Sequence, residues 1–522
     1  MKRNRIKSLI CSFLLLTVTT AFSQKNVLQV QSAEKISGRN FIDNSDIKGF
    51  EVTFSDRIHK TFLDTATNFL TIQLRGVSKN GKWLNNTGNI LQYDIQNNNI
   101  LWTKKIAYQK NDIRQFGKTI FHQAGNKSRY LDAANGNSLW EVKNDLYFVD
   151  HINDVGLGYK NNTLKGRTNE LEGIELQNGS IIWKRELNRE YGWNNVFFIN
   201  DSTLIIVASG LHAVNTNTGK GWDYNMITIE KDYTGTAIAN TLGIAAGLLT
   251  GTFFITTGHS LVTDLISNTL VDSTFIYFAS KDQLVKINKQ SGEIAWKYPI
   301  PKELASKSTL LMNDSTIYMV NKGIAFMGYR QLNFGKPFIA AFDRETGKQK
   351  YFSIINVKND PILNFQVLEN EIYLIFKNKI SKYNQETGSH IIEKIYSKDN
   401  VGELQNIIGK NAFITNKEGD LISLIQNDST KVYVSTNKNM ILSVDNQLNI
   451  TDTIGYDDIG ICYLENKDYK FIAKGGKTLI INPEGEKTAE IDMSSNAFII
   501  EDIIYDTKDK SFTTIDLSEI IN

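Results

Sequence analysis

The sequence predicts an all-β fold made of consecutive antiparallel units, and three observations support this. First, a short motif with a fixed internal spacing occurs seven times along the chain. Second, each copy joins a turn signal to flanking apolar and β-branched stretches, which is typical of strands connected by hairpins. Third, 522 residues with 41% hydrophobic and 22% charged side chains can form a large core.

The repeated motif is a hairpin signal. The copies are YDIQNNNILW, LDAANGNSLW, IELQNGSIIW, VNTNTGKGW, INKQSGEIAW, FDRETGKQKY and YNQETGSHII, which end at Trp102, Trp140, Trp183, Trp222, Trp296, Tyr351 and Ile392. Each places an acidic or amide residue four positions before a Gly, or before Asn98 in the first copy. The pairs begin at Asp94, Asp132, Glu175, Asn215, Asn288, Asp343 and Asn384, and the glycines are Gly136, Gly179, Gly219, Gly292, Gly347 and Gly388. Gly adopts the positive φ of such a loop without steric cost. An Asx side chain at the start of the loop can accept a hydrogen bond from the backbone two residues on.

The five tryptophans that end the motif share one position in the repeat. A ring at the end of each unit can bury about 150–250 Å² against the next unit, so that neighbouring units share a core that none could form alone. We therefore interpret these tryptophans as structural and not as ligand-stacking residues.

The repeat length predicts a β-propeller. Consecutive motif tryptophans are 38, 43, 39 and 74 residues apart, and a unit of about 40 residues with about four strands has the size of a propeller blade. These residues resemble the PQQ-like (quinoprotein-type) β-propeller repeat family, whose units end in a D-x-x-T-G-x-x-x-W hairpin. The resemblance covers residues 69–395 well and the rest weakly. We expect a single propeller of eight four-stranded blades, with seven as the alternative. Strands from 27–54 and the C-terminal strand should complete a shared blade.

One apolar insertion, residues 233–263, breaks the period. From Tyr233 to Thr263 the chain contains no Asp, Glu, Lys or Arg. Gly243, Gly247 and Gly251 recur at every fourth position, so on a helix they would form a smooth stripe for close contact. A single membrane crossing would leave blades on both sides of the bilayer, which a closed ring excludes. Three interpretations stay open: a segment packed on this chain, a surface for a partner or for self-association, and a membrane contact.

The N-terminus predicts export. Residues 1–23 combine four basic residues, a short apolar run and small residues before Gln24, which is the layout of a signal peptide. An uncleaved anchor is the alternative. Cys11 lies near the start of the apolar run, where it could not serve as a lipidation site. We expect a mature propeller domain over 24–522, in the periplasm or at the cell exterior of a bacterium.

The mature chain has almost no net charge. Cleavage removes four of 58 Lys and Arg, which leaves 54 against 56 Asp and Glu. Nonspecific binding to nucleic acid or anionic lipid would therefore lack an overall electrostatic driving force, and we expect no nucleic-acid partner. Cys462 is the one cysteine left, so no intramolecular disulfide can form.

The motif search predicts no catalytic residue, metal or cofactor. The resemblance to quinoprotein dehydrogenases implies a quinone, a Ca²⁺, an acidic base and, in many members, a disulfide of adjacent cysteines, which this chain cannot form. Its six histidines are scattered without zinc-type spacing; they are His59, His122, His151, His212, His259 and His390. Asp-Ser-Thr recurs at 201–203, 272–274, 314–316 and 428–430, each time before an apolar strand. We interpret these copies as one repeated turn and not as catalytic triads.

The sequence thus favours an exported, non-catalytic propeller that serves as a protein-binding or scaffolding module of the cell envelope. Peripheral membrane contact through 233–263 is a second element of this hypothesis. Within the family, the chain resembles the propeller that scaffolds outer-membrane protein assembly, which carries such repeats without the quinone. The alternative is a PQQ-dependent or sugar-handling quinoprotein-like enzyme whose acidic residues converge from several blades.

Overall fold

The structure of the chain is a computed structural model. It describes residues 30–64, 67–80, 82–97, 99–109, 111–162, 166–188, 193–208, 210–226, 230–231, 261–263, 265–327, 330–356, 360–409, 412–415, 421–424, 430–455, 458–518 and 520–521. The predicted signal peptide, Asn98, His259 and the glycine stripe Gly243, Gly247 and Gly251 lie outside these residues.

Antiparallel strands dominate the described residues, which confirms the all-β prediction. The N-terminal hairpin consists of β1 (Val30–Asn40) and β2 (Asp46–Phe54). Eight four-stranded sheets follow, each forming an antiparallel meander, and we number them units 1 to 8.

Unit 1 comprises β3 (Arg57–Asp64), β4 (Phe69–Val77), β5 (Leu84–Asp94) and β6 (Asn99–Ala107); unit 2 comprises β7 (Asn111–Phe116), β8 (Thr119–Ala124), β9 (Lys127–Leu131) and β10 (Ser138–Val142). Unit 3 comprises β11 (Asn144–Asp150), β12 (Val155–Asn162), β13 (Gly166–Glu175) and β14 (Ile181–Glu186); unit 4 comprises β15 (Asn195–Asn200), β16 (Thr203–Ala208), β17 (Gly210–Asn215) and β18 (Asp223–Asn225).

Short strands β19 (Glu230–Lys231) and β20 (Leu261–Thr263) follow unit 4. Unit 5 comprises β21 (Leu270–Val271), β22 (Phe275–Ala279), β23 (Gln283–Asn288) and β24 (Ile294–Pro299). Unit 6 comprises β25 (Ser308–Met312), β26 (Thr316–Asn321), β29 (Phe338–Asp343) and β30 (Gln349–Ile354), with the hairpin β27 (Ile324–Met327) and β28 (Arg330–Asn333) inserted between its second and third strands.

Unit 7 comprises β31 (Asn364–Leu368), β32 (Glu371–Ile375), β33 (Lys379–Asn384) and β34 (His390–Ile395), and a one-turn helix, α1 (Lys398–Val401), leads to the next unit. Unit 8 comprises β35 (Leu404–Ile407), β38 (Val432–Thr436), β39 (Met440–Val444) and β40 (Ile450–Gly455), with the hairpin β36 (Ala412–Thr415) and β37 (Leu421–Leu424) inserted after its first strand.

The remaining strands belong to one eleven-stranded sheet, which also contains β1, β2 and the hairpin β36–β37, paired through β36 with β41. These remaining strands are β41 (Asp458–Asn466), β42 (Tyr469–Lys474), β43 (Lys477–Ile481), β44 (Lys487–Ile491), β45 (Phe498–Ile500), β46 (Ile503–Lys508) and β47 (Ser511–Asp516). Strands β41–β44 form a ninth unit, and β45–β47 with β2 form a tenth. Strand β1 bridges these two units, because it pairs along β2 and reaches β44 through Gly38↔Ile491. The predicted number of eight blades, or seven, is therefore not confirmed.

The units pack on one another in a closed series. Clusters of buried apolar side chains lie between successive units from 1 to 8 and between units 9 and 10. Ile414 of the hairpin β36–β37 contacts Ile441 at the junction of units 8 and 9. Tyr505 and Phe512 of unit 10 pack with Leu70 and other residues of unit 1. Pairing of β2 with β47 confirms that the N-terminal and C-terminal strands share a unit.

The meander assigns every connection to one of two faces. The first strands of neighbouring units lie in contact, as β21 with β25 and β31 with β35 do, so they form the inner edge of the ring. Connections from first to second and from third to fourth strands end on one face, which we call the turn face. Connections from second to third strands and the links between units end on the opposite side, the linker face.

Candidate functional site

The motif aromatics dock each unit onto the next one. The Trp102 indole nitrogen Nε1 donates to the carbonyl oxygen of Ala133 in unit 2 at 2.7 Å. The equivalent bonds join Trp140 to Leu176, Trp183 to Thr216, Trp222 to Lys289, Trp296 to Arg344 and the Tyr351 hydroxyl to Gln385, at 2.6–3.2 Å. In each case the acceptor directly follows the acidic or amide residue that opens the next hairpin. Ile392, which replaces the aromatic in unit 7, packs in the apolar cluster between units 7 and 8.

The motif glycines lie against these rings. Gly136 has φ +69°, and a Cβ built on it would lie 2.6 Å from the Trp102 ring. The same relation joins Gly179 to Trp140, Gly219 to Trp183, Gly292 to Trp222, Gly347 to Trp296 and Gly388 to Tyr351, with distances of 2.2–2.6 Å. Each loop therefore needs Gly for two reasons, the positive φ and the contact with an aromatic ring.

The three Asp-Ser-Thr copies at 201–203, 272–274 and 314–316 lie at turns between first and second strands. Asp272 accepts backbone hydrogen bonds from Thr274 and Phe275 at 2.8 and 2.6 Å. At 201–203 and 314–316 the preceding residues, Asn200 and Asn313, accept the equivalent bonds. Residues 428 and 429 of the fourth copy lie outside the described residues.

A polar contact joins Asp272 to the next unit. Arg344 donates to the Asp272 carboxylate at 2.6 Å and to the Tyr277 hydroxyl at 3.1 Å, and Tyr277 also donates to Asp272 at 2.8 Å. Burial opposes the charged carboxylate, but the bonds from Arg344 and from the backbone hold the pKa of Asp272 below its ordinary value. Burial raises the pKa of Tyr277 to about 12, so this hydroxyl stays a neutral donor.

An open cleft of about 400 Å³ lies between units 1 and 2. It is lined by Tyr108, Gln109, Asn111, Asp112, Gln123 and Gly125. The Lys60 ammonium lies 3.5 Å from the Asp112 carboxylate. Nearby, the Arg114 guanidinium forms an ion pair with the Asp145 carboxylate of unit 3 at 3.0 Å. Amides and a carboxylate suit hydrogen bonding to a small polar group. The motif search missed this cleft, although the Asn-Asp pair repeated at 111–112 and 144–145 was a signal.

The histidines occupy separate places. His59 packs edge-on against Tyr108, and burial lowers its pKa to about 4. His122 contacts Asn111 at 2.9 Å, and His212 contacts Asp223 at 2.7 Å. Within the described part of the chain, no three His, Cys, Asp or Glu side chains are grouped to hold a metal ion.

The two faces differ in charge. Among the described connections, the turn face carries 16 acidic and seven basic residues. The acids are Asp43, Asp132, Asp154, Asp201, Asp272, Glu293, Asp314, Glu345, Glu369, Glu386, Asp445, Asp468, Glu484, Glu486, Glu501 and Asp502, and the bases are Lys118, Lys220, Lys289, Arg344, Lys348, Lys431 and Lys467. Three of these acids, Asp132, Asp272 and Asp445, accept backbone hydrogen bonds within their turns.

The linker face has the opposite balance, with 12 basic and eight acidic residues in its described connections. The bases are Lys79, Lys82, Lys143, Lys281, Lys302, Lys307, Lys322, Lys336, Lys377, Lys398, Lys438 and Lys510, and the acids are Asp56, Asp282, Glu303, Asp360, Asp399, Glu403, Asp492 and Asp509. The near-neutral chain therefore separates its charge between two surfaces.

A small sheet on the linker face contains β19, which ends just before the apolar insertion, and β20, which is formed by the last three residues of the insertion. Strand β20 pairs with β19 on one side and with β27 on the other, with Val262 opposite Met327. Strand β28 completes the four-stranded sheet, which we call the platform. Two separate inserts, one after unit 4 and one within unit 6, thus meet on the same face. None of the helices in the described ranges is long and apolar enough to cross a membrane.

Comparisons with known proteins identify the repeat. A family model described as "Outer membrane protein assembly factor BamB" matches residues 75–245 and 260–450. No curated protein matches the chain. Among solved structures, BamB from Moraxella catarrhalis is 11% identical, with 73% of this chain and 96% of that chain covered and a TM-score of 0.29. AztD from Citrobacter koseri is 12% identical over 71% and 92%, with a TM-score of 0.30. The dihydro-heme d1 dehydrogenase NirN is 11% identical over 76% and 75%, with a TM-score of 0.29.

Proposed function

Because the chain belongs to the PQQ-like repeat family described as outer membrane protein assembly factor BamB, we propose that it is an exported, non-catalytic β-propeller that binds or scaffolds proteins in the cell envelope. The family match, which spans two regions and more than half of the chain, carries this proposal. The proposed export rests on the signal-peptide pattern of residues 1–23.

The architecture supports a scaffolding role. Inter-unit bonds from the motif aromatics, together with contacts such as Arg344–Asp272, fix successive units against one another. A rigid ring can hold its exposed loops at constant distances, which favours recognition by reducing the entropy lost on binding. The same docking contact recurs from unit to unit, and this structural role accounts for the motif residues without assigning any of them to a ligand.

We further propose that the apolar insertion 233–263, including Gly243, Gly247 and Gly251, contributes the distinctive contact. The platform supports this assignment, because pairing of β20 with β27 anchors the end of the insertion to the hairpin of unit 6. Binding through this segment should depend on its apolar character more than on ionic strength.

A pull-down from envelope extract tests the proposal. The baits are the mature chain 24–522, a variant that lacks 234–262, and a matched control that replaces 234–262 with a Gly/Ser segment of equal length. The intact bait should enrich one or more specific envelope proteins, and both altered baits should lose them while their circular dichroism spectrum is retained. Equal recovery by all three baits would remove the insertion from the proposal, and no specific recovery by any bait would contradict the scaffolding role.

A further inference from the structure

We infer that the turn face of units 3 and 4, at the inner edge of the ring, binds a protein segment that carries Lys or Arg beside apolar side chains. We call this surface the inner patch, and it consists of Phe148, Ile152, Asp154, Phe198 and Asp201. It is separate from the insertion proposed above as a contact, so the inference does not depend on that segment. It assigns to the ring a second surface of different chemistry.

The apolar part of the inner patch is formed by two neighbouring units. Phe148 and Phe198 belong to the first strands of units 3 and 4, β11 and β15. Their rings pack against each other with centroids 5.8 Å apart, and Phe198 is still 38% exposed. Ile152 lies in the turn that follows β11 and is 68% exposed. Ile152 and Phe198 therefore present apolar surface to solvent on adjoining units.

The turn that carries Ile152 is held rigidly by polar contacts. The Asp150 carboxylate accepts backbone hydrogen bonds from Ile152 and Asn153 at 2.9 and 3.2 Å, and the Thr216 hydroxyl donates to it at 2.6 Å. The Asn153 amide donates to the backbone oxygen of Asp201 in unit 4 at 2.7 Å. None of these bonds uses the Ile152 side chain. The turn thus holds an exposed apolar group in place, which lowers the entropy lost when a partner binds.

The charge around the inner patch is negative. From unit 3 to unit 7, the turns between first and second strands carry five acids and no Lys or Arg; the acids are Asp154, Asp201, Asp272, Asp314 and Glu369. Asp272 is bound by Arg344. Within the described ranges, the exposed carboxylates of Asp154 and Asp201 form no ion pair and accept no hydrogen bond. A cationic partner would therefore be attracted here without displacing an internal contact.

The combination of apolar groups and acids selects the class of partner. A small free cation would leave Ile152 and Phe198 uncovered, and an anionic lipid surface would be repelled by the acids of these turns. A second copy of this chain in a two-fold contact would bring the same acids against each other. A protein segment that combines Lys or Arg with apolar side chains covers the apolar surface and satisfies the carboxylates. We therefore commit to such a segment as the occupant.

Fluorescence anisotropy of short labelled peptides mixed with the mature chain tests the inference. The main probe alternates Lys and Leu. A second probe has Glu in place of every Lys, and a third has Ser in place of every Leu. The Lys-Leu probe should bind, less tightly as salt rises. The Glu-Leu probe should not bind, and the Lys-Ser probe should bind at least about tenfold more weakly than the main probe.

Three variants locate the binding site. D154N/D201N removes two charges and keeps the shape of the surface, because Asn tolerates the positive φ of +53° at position 154. The matched control E386Q/E484Q removes two exposed carboxylates from the turn face of units 7 and 9. D154N/D201N should lose roughly tenfold in affinity for the Lys-Leu probe, and the control less than about twofold. Ile152→Ser should also lose roughly tenfold, with the salt dependence retained.

Three results would overturn the inference: no binding of the Lys-Leu probe, equal binding of the Glu-Leu probe, or equal losses in D154N/D201N and the control. Circular dichroism checks the fold of each variant, and if D154N/D201N does not fold, Ile152→Ser and the salt titration decide. A dimer in sedimentation velocity that Ile152→Ser disrupts would assign the inner patch to a second copy instead. A failed pull-down with intact probe binding would contradict the scaffolding role alone, and a successful pull-down without probe binding would contradict this inference alone.

Discussion

Substitution of Gly136 by Ala tests the contact that repeats around the ring. Gly136 has φ +69°, and its new Cβ would lie 2.6 Å from the Trp102 ring. The left-handed backbone costs about 1–2 kcal/mol for Ala, and the displaced indole adds about 1–3 kcal/mol of overpacking. The variant should therefore lose roughly 2–5 kcal/mol of unfolding free energy.

Gly125→Ala is the matched control, because it lies in the same unit. Gly125 has φ +62°, and its added Cβ would meet no atom within 4 Å. This variant should lose only the backbone part, about 1–2 kcal/mol. Urea unfolding followed by circular dichroism measures both variants. Equal losses would refute the reasoning, since they would show that the contact with Trp102 adds nothing to the backbone cost.

Two further predictions concern the polar contact between units 5 and 6 and the cofactor. Arg344→Gln should cost about 2 kcal/mol near neutral pH, because it removes a charge-assisted bond to the Asp272 carboxylate. Because the pKa of Asp272 is lowered in the folded chain, this stabilisation is fully present above the unfolded pKa of about 3.9 and is lost as the pH falls below it. The difference in unfolding free energy between the variant and the intact chain should therefore shrink in acid. A difference that stays constant with pH would contradict the assignment. The mature chain mixed with PQQ and Ca²⁺ should show no saturable binding by titration calorimetry and no dye reduction with alcohols or aldoses, and saturable reduction would favour the quinoprotein-like enzyme.

Residues 69–395 could be predicted well because their signals are local. The hairpin loop of this repeat combines an Asx side chain that accepts a backbone hydrogen bond with a Gly at positive φ. In unit 2 these are Asp132 and Gly136, which lie within five consecutive residues. The last units lack this pairing of Asx and Gly followed by Trp, and their strands join through β1 into one long sheet. Pairing of β1 with both β2 and β44 is a contact between distant parts of the chain. No local sequence pattern encodes this pairing of β1. The predicted number of blades is therefore not confirmed.

The sequence by itself determined the β-rich class, the hairpin loops, the family and the pairing of the two chain ends, because each follows from short-range spacing or from repetition. Only the tertiary structure decided which backbone carbonyl of the next unit each motif Trp bonds, that the inserts around β20 and β27 meet, and that the charges separate between faces. The physical reason is the meander, which sends alternate connections to opposite sides of the ring. Charges that cancel along the chain, such as those of Asp132 and Lys143, therefore end on different surfaces.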